Sequence, residues 1–122
     1  MRYQGFIWAG IYVRNLKKSI AFYRDVVGLF LLDQGEDWAH FDTGAGTLLE
    51  LFTGGSSSSG PKTPEQQSIV LGLRVENLEH AVSELTQRGV HFIPGTSGEY
   101  AGTRWAHFYD VEGNRLEVKE VP

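Results

Sequence analysis

The chain contains no cysteine, which excludes a disulfide framework, a thiolate metal site and a cysteine nucleophile. Any metal would have to be held by His, Asp and Glu. There is no apolar run near the roughly 20 residues that cross a bilayer. The apolar segment after Met1-Arg2-Tyr3-Gln4-Gly5 is too short for a secretory signal, so a cytoplasmic protein without membrane contact is expected. A basic surplus is missing as well: 11 Lys and Arg against 15 Asp and Glu give a net charge of −4. That balance disfavours a sequence-independent grip on nucleic acid. With 41% hydrophobic and 21% charged residues among 122, the composition is that of one globular domain able to bury its own core.

What is present is a repeat. Trp38-Ala39-His40-Phe41 returns 67 positions later as Trp105-Ala106-His107-Phe108, and the same step carries Leu49-Glu50-Leu51-Phe52 onto Leu116-Glu117-Val118-Lys119. Nearer the start, Val13-Arg14-Asn15-Leu16 matches Val75-Glu76-Asn77-Leu78 at a step of 62. The change of step places extra residues in a loop before Trp105. The chain therefore reads as two copies of one supersecondary unit.

The first copy, residues 5–53, opens with strict alternation from Ile7 to Val13, the period of a strand. Asn15 stands at a helix N-cap, Leu16, Ile20, Tyr23 and Val27 follow at helical spacing, and Gly28 stops the helix. Leu29–Asp33, Asp37–Thr43 and Thr47–Thr53 read as three strands. Residues 54–67, rich in Gly, Ser and Pro, have the composition of a flexible linker. The second copy, residues 68–122, repeats the order: strand Ile69–Val75, cap Asn77, a helix with Leu78, Ala81, Val82 and Leu85 inward, and stop Gly89. Strand Val90–Ile93, loop Pro94–Gly102 and strands Thr103–Tyr109 and Asn114–Val121 complete it. The expected class is α+β, two βαβββ modules, each with one helix on the outer face of its own sheet.

Alternation then assigns the opposite faces. Trp8, Tyr12, Leu48, Glu50, Phe52, Val70, Gly72, Arg74, Arg115, Glu117 and Lys119 share the open side, joined by Trp38, His40, Trp105 and His107. Glu50 is the most informative, because it interrupts a strand that is apolar on both faces, where an ionisable group is costly unless paired or used. It is either a functional carboxylate or the structural partner of Arg74 or Arg115. Glu117, flanked by Arg115 and Lys119, is explained equally by a surface ion-pair ladder. His40 and His107 lack any tight metal-ligand spacing. The tryptophans suit either a core or stacking against a planar ligand.

The duplicated unit, the run Val13-Arg14-Asn15-Leu16-Lys17-Lys18-Ser19-Ile20-Ala21-Phe22-Tyr23 to Val27-Gly28-Leu29, and the turn Asp110-Val111-Glu112-Gly113-Asn114 resemble the vicinal oxygen chelate superfamily. That group includes glyoxalase I, extradiol dioxygenases, fosfomycin-modifying transferases and bleomycin-binding resistance proteins. Val111 stands where its turn carries proline. The resemblance implies mixed sheets curled around a central cleft, within one domain spanning 1–122. In metal-dependent members the ligands come from the first and last strands of each unit, commonly His and Glu. Those positions here are Trp8 and Val70 on the first strands, and Glu50 and Glu117 on the last. Trp and Val cannot bind a metal, so no cofactor is expected.

The leading expectation is metal-independent binding of a small, partly aromatic or cationic molecule, with Trp8, Tyr12, Trp38, His40, Glu50, Phe52, Val70, Arg74, Trp105, His107, Arg115 and Glu117 around it. An isomerase, epimerase or lyase with Glu50 as general base and His40 or His107 as acid is the alternative. A metal-dependent lyase or dioxygenase with non-standard ligands comes third. A homodimer is expected, since wide open sheet faces often complete a cleft with a second copy.

Overall fold

The computed structural model describes residues 1–122, which form two compact units, Met1–Ser57 and Ser58–Pro122. In the first, β1 (Trp8–Val13) leads through α1 (Leu16–Ala21) and a π-helical continuation (Phe22–Val27) to β2 (Phe30–Gln34), β3 (Trp38–Asp42) and β4 (Leu48–Thr53). The strand order is β1-β4-β3-β2, with β1 parallel to β4 and the other pairs antiparallel. Asn15 caps the helix as anticipated, its side-chain oxygen accepting from Lys18 N at 3.0 Å. The helix does not remain α-helical to its end. From Phe22 it widens, and the adjacent Phe22 and Tyr23 are both buried, rings perpendicular at 5.4 Å, with Tyr23 also against Phe41 of the sheet at 6.2 Å. Gly28 closes it with φ 88°. Val13, Ile20, Tyr23, Ala39, Phe41, Leu49 and Leu51 form the core.

The second unit runs β5 (Leu71–Arg74), α2 (Leu78–Gln87), β6 (Gly98–Tyr100), β7 (Thr103–Tyr109) and β8 (Arg115–Glu120). Its order is β5-β8-β7-β6, with β5 parallel to β8. Asn77 caps α2 through His80 N at 2.9 Å. Glu120 accepts from Leu78 N at 2.8 Å, and both its oxygens accept from Arg104 Nη2, at 3.0 and 3.1 Å. Leu78, Leu85, Val90, Ala106, Phe108, Leu116 and Val118 are buried.

Three expectations are corrected. Val90–Ile93 is not a strand: Phe92 makes one bridge to Phe108 and Ile93 N reaches His107 O at 2.8 Å, after which Pro94, lacking an N–H, ends the pairing. The edge strand forms later, inside the stretch read as a loop. Ile69 and Val70 lie ahead of β5, because the Gln67 side chain takes the pairing position they would need. Its amide accepts from Arg115 N at 2.5 Å and donates to Arg115 O at 2.8 Å. The Gly/Ser/Pro-rich stretch is also tied down in its later part, with Ser58 N bonded to Glu112 O at 2.9 Å and Lys62 N to Gly113 O at 2.8 Å.

That strap closes over the Asp110–Asn114 turn. Asp110 accepts from Glu112 N and Asn114 N at 2.9 Å each and from Asn114 Nδ2 at 3.0 Å, while Asn114 Oδ1 accepts from the buried Lys62 ammonium at 2.8 Å. Gly113, at φ 85°, packs its bare Cα on the Gly60 backbone, which leaves no room for a side chain. Removing a carboxylate that satisfies buried donors leaves them unpaired. Asp110→Ala is predicted to lower stability by about 3 kcal/mol in urea unfolding; a loss near zero would show that the turn does not hold the strap.

Candidate functional site

In the first unit, alternation turns Trp38, His40, Leu48, Glu50 and Phe52 away from the helix-covered core, beside Trp8, Gly10 and Tyr12 of β1. The register lines up Gly10, Glu50 and His40 in one row across three strands. Trp8 Nε1 donates to Glu50 Oε1 at 3.0 Å, and His40 Nε2 lies 3.3 Å from the same oxygen. Glu50 Oε2 has no partner within the chain. Gly10 is required here, since the Trp8 and Phe52 rings occupy the space its Cβ would take. Trp8 stacks on Phe52 at 6.3 Å with 8° between planes, Tyr12 meets Phe52 edge-on at 4.3 Å, and Trp38 leans on His40 at 4.7 Å. The result is one carboxylate, 23% exposed, set among aromatic rings.

The second sheet repeats the row with Gly72, Glu117 and His107. His107 Nε2 lies 2.8 Å from Glu117 Oε2, and Lys119 Nζ lies 2.9 Å from Oε1. A carboxylate only accepts, so Nε2 carries the proton, and the buried Nδ1 is left without a partner. Lys119 also sits 5.6 Å over the Trp105 ring. Burial pushes the Glu117 carboxyl up, but hydrogen bonds and charge from Lys119 and His107 outweigh it and hold the group below its ordinary 4.5.

Trp8, Tyr12, Trp38, His40, Glu50 and Phe52 thus share one sheet face of the first unit, and Arg74, Trp105, His107, Arg115 and Glu117 share one face of the second. Val70 is half-exposed and precedes the strand. Within its own unit, Glu50 is partnered by Trp8 and His40. Sequence reasoning left Lys119 out of the site and treated each His apart from its Glu. The signal was present in the equal spacing of ten residues from His40 to Glu50 and from His107 to Glu117, which an antiparallel pair closes into direct opposition.

The residues at the metal-ligand positions implied by the resemblance do not fit a metal. At Trp8 the indole presents an N–H, which donates into Glu50 where a ligand would offer a lone pair. Val70 has no donor atom, and Glu117 already holds an ammonium that would repel a cation. Neither unit gathers three His, Asp or Glu side chains.

The sequence profile of the Glyoxalase/Bleomycin resistance protein/Dioxygenase superfamily matches residues 5–118, and the chain belongs to that family. It is 29% identical over 120 residues to the uncharacterized protein YraH of Bacillus subtilis, covering 89% of this chain and 92% of that one. With the metallothiol transferase FosB of Staphylococcus epidermidis it shares 28% over 109 residues, 87% and 76% of the two chains. Among solved structures, TnmS3, an antibiotic binding protein from Streptomyces sp. CB03234, superposes with a TM-score of 0.74 at 24% identity, covering 100% and 99%. A glyoxalase/dioxygenase from Nostoc punctiforme does so at 0.79 and 20%, covering 98% and 92%. At those identities the structural likeness shows the fold alone.

Because the Glu117 carboxyl is held below 4.5 in the folded protein, its contribution to stability is complete above the unfolded value and disappears as pH falls through the folded one. Urea midpoints of wild type and Glu117→Gln are predicted to differ most above pH 5 or so and to converge as the pH drops below 4.5. A difference that grows on acidification would reverse this assignment.

Proposed function

We propose that the protein binds a small, partly aromatic cation on the open face of the first sheet, without a metal. The observation that carries this reading is Glu50: one oxygen is oriented by Trp8 and His40, the other is free, and the same sheet face carries the aromatic rings of Trp8, Phe52, Tyr12 and Trp38. A carboxylate in such surroundings is only partly hydrated, so a ligand ammonium or amidinium that reaches Oε2 replaces water with a charge-assisted hydrogen bond. Trp8, Phe52 and Tyr12 offer a planar partner both stacking and edge contacts and add cation–π attraction. Metal independence follows from the same atoms, because the indole N–H fills the side of Glu50 from which a second ligand would act. The family membership supports small-molecule recognition as the general role.

The open edge of β2, where Phe30 is 70% and Leu32 49% exposed, supports a homodimer as the working form. Light scattering at micromolar protein is expected to give twice the 13.6 kDa chain mass; a mass of one chain would remove the dimer from this reading.

Isothermal titration with planar aromatic cations, beginning with ethidium, is predicted to show saturable binding that Glu50→Gln weakens about tenfold, with neutral aromatic analogues affected much less. Equal cation affinities in the two proteins would take Glu50 out of the site.

A further inference from the structure

Matched through the repeat, the two sheet faces carry the same Trp, His and Glu but differ around them in one direction. Tyr12, Leu48 and Phe52 of the first face correspond to Arg74, Arg115 and Lys119 of the second. In a chain of net charge −4, three of the eleven Lys and Arg side chains therefore gather on one sheet face. The single carboxylate among the paired strands of that face, Glu117, is already bonded to Lys119 and His107, so the face retains a surplus of positive charge.

The register sets Arg74 directly beside Lys119 on the parallel strands β5 and β8, about 4.8 Å apart in the backbone. Like charges in that position repel. Lys119 is drawn aside to Glu117 and the Trp105 ring, whereas Arg74 is exposed and its guanidinium has no partner within the chain. Gly72 next along β5 keeps the floor low, since even a methyl group there would crowd Glu117 Oε1 at 3.2 Å. Arg115 lies four residues from Lys119 on the same face, about 13 Å along the strand, and its side chain is also unpaired.

We propose that Arg74 and Lys119 form a receptor for an oxyanion group, a carboxylate or a phosphate, carried by a small molecule lying on the second sheet. The Arg74 fork supplies paired N–H donors of the geometry such groups accept. Lys119 adds a point charge, and the Trp105 indole beneath it supports the organic part of the ligand. Arg115 is placed to meet a second anionic end. The site involves none of the residues around Glu50 and stands independently of the first-sheet reading.

Inorganic phosphate and succinate, each titrated against sodium chloride at matched ionic strength and followed by backbone and arginine side-chain NMR shifts, test it. Saturable shifts at Arg74 and Lys119 are expected with at least one of the two anions, and the stronger responder identifies the group as phosphoryl or carboxylate. Arg74→Gln should weaken binding about tenfold, and Arg74→Lys should recover part of it. Arg88→Gln, which removes the same charge from the outer surface of α2, should leave binding unchanged. The proposal is overturned if neither anion gives saturable shifts, if chloride reproduces them, or if Arg88→Gln weakens binding as much as Arg74→Gln does.

Discussion

Parallel pairing between the first and last strand of each unit is the constraint on which the rest depends. Two parallel neighbours cannot be joined by a tight turn, so the chain must leave the sheet and return across one face. In both units it does so through a capped helix that needs an apolar surface to lie on. That requirement commits Val13, Leu49 and Leu51 in the first sheet, and Leu116 and Val118 in the second, to the covered side. By the two-residue period, it commits Glu50 and Glu117 to the other. The same pairing sets a glycine beside each glutamate, Gly10 and Gly72, where the absent side chain makes room for aromatic rings in one case and for the Glu117 carboxylate in the other.

One row, glycine, glutamate and histidine, is therefore built twice and used differently. In the first sheet the carboxylate is held by an indole N–H and a histidine, and its neighbours are rings. In the second it is held by an ammonium and a histidine, and its neighbours are cations. The backbone dictates the row, whereas the side chains one register step away decide its electrostatics. This separation allows a duplicated unit to keep its fold while its two faces come to suit different chemistry.

Much of this was legible in the sequence. Alternation placed each face-lining residue of the paired strands on its side, the asparagine caps located both helix starts, and the repeat aligned the two glutamates. The failures share a cause. Val90–Ile93 has a strand's residues but meets Pro94, and it pairs only where Phe108 is within reach. Ile69 and Val70 lose their place to a side chain, Gln67, whose amide imitates a backbone pair. Lys62 sits in a segment of linker composition, yet it is buried, where Asn114, 52 positions away, accepts a hydrogen bond from its ammonium. Local pattern cannot register competition from residues distant along the chain.

By itself the sequence determined which residues face together, because a strand has only two sides and the apolar set must take one of them. It also determined that Trp8 and Val70 offer no metal a lone pair, since that is a property of the side chains alone. Only the tertiary structure decided which atoms meet. Pairing register brought His40 to Glu50 and His107 to Glu117, and rotamers under packing turned the Trp8 indole onto one oxygen of Glu50 and left the other free. Lys119 was drawn to Glu117 while Arg74 remained unpaired beside it. Those choices depend on distances of a few tenths of an ångström between groups far apart in sequence, a scale that hydrophobic period does not encode.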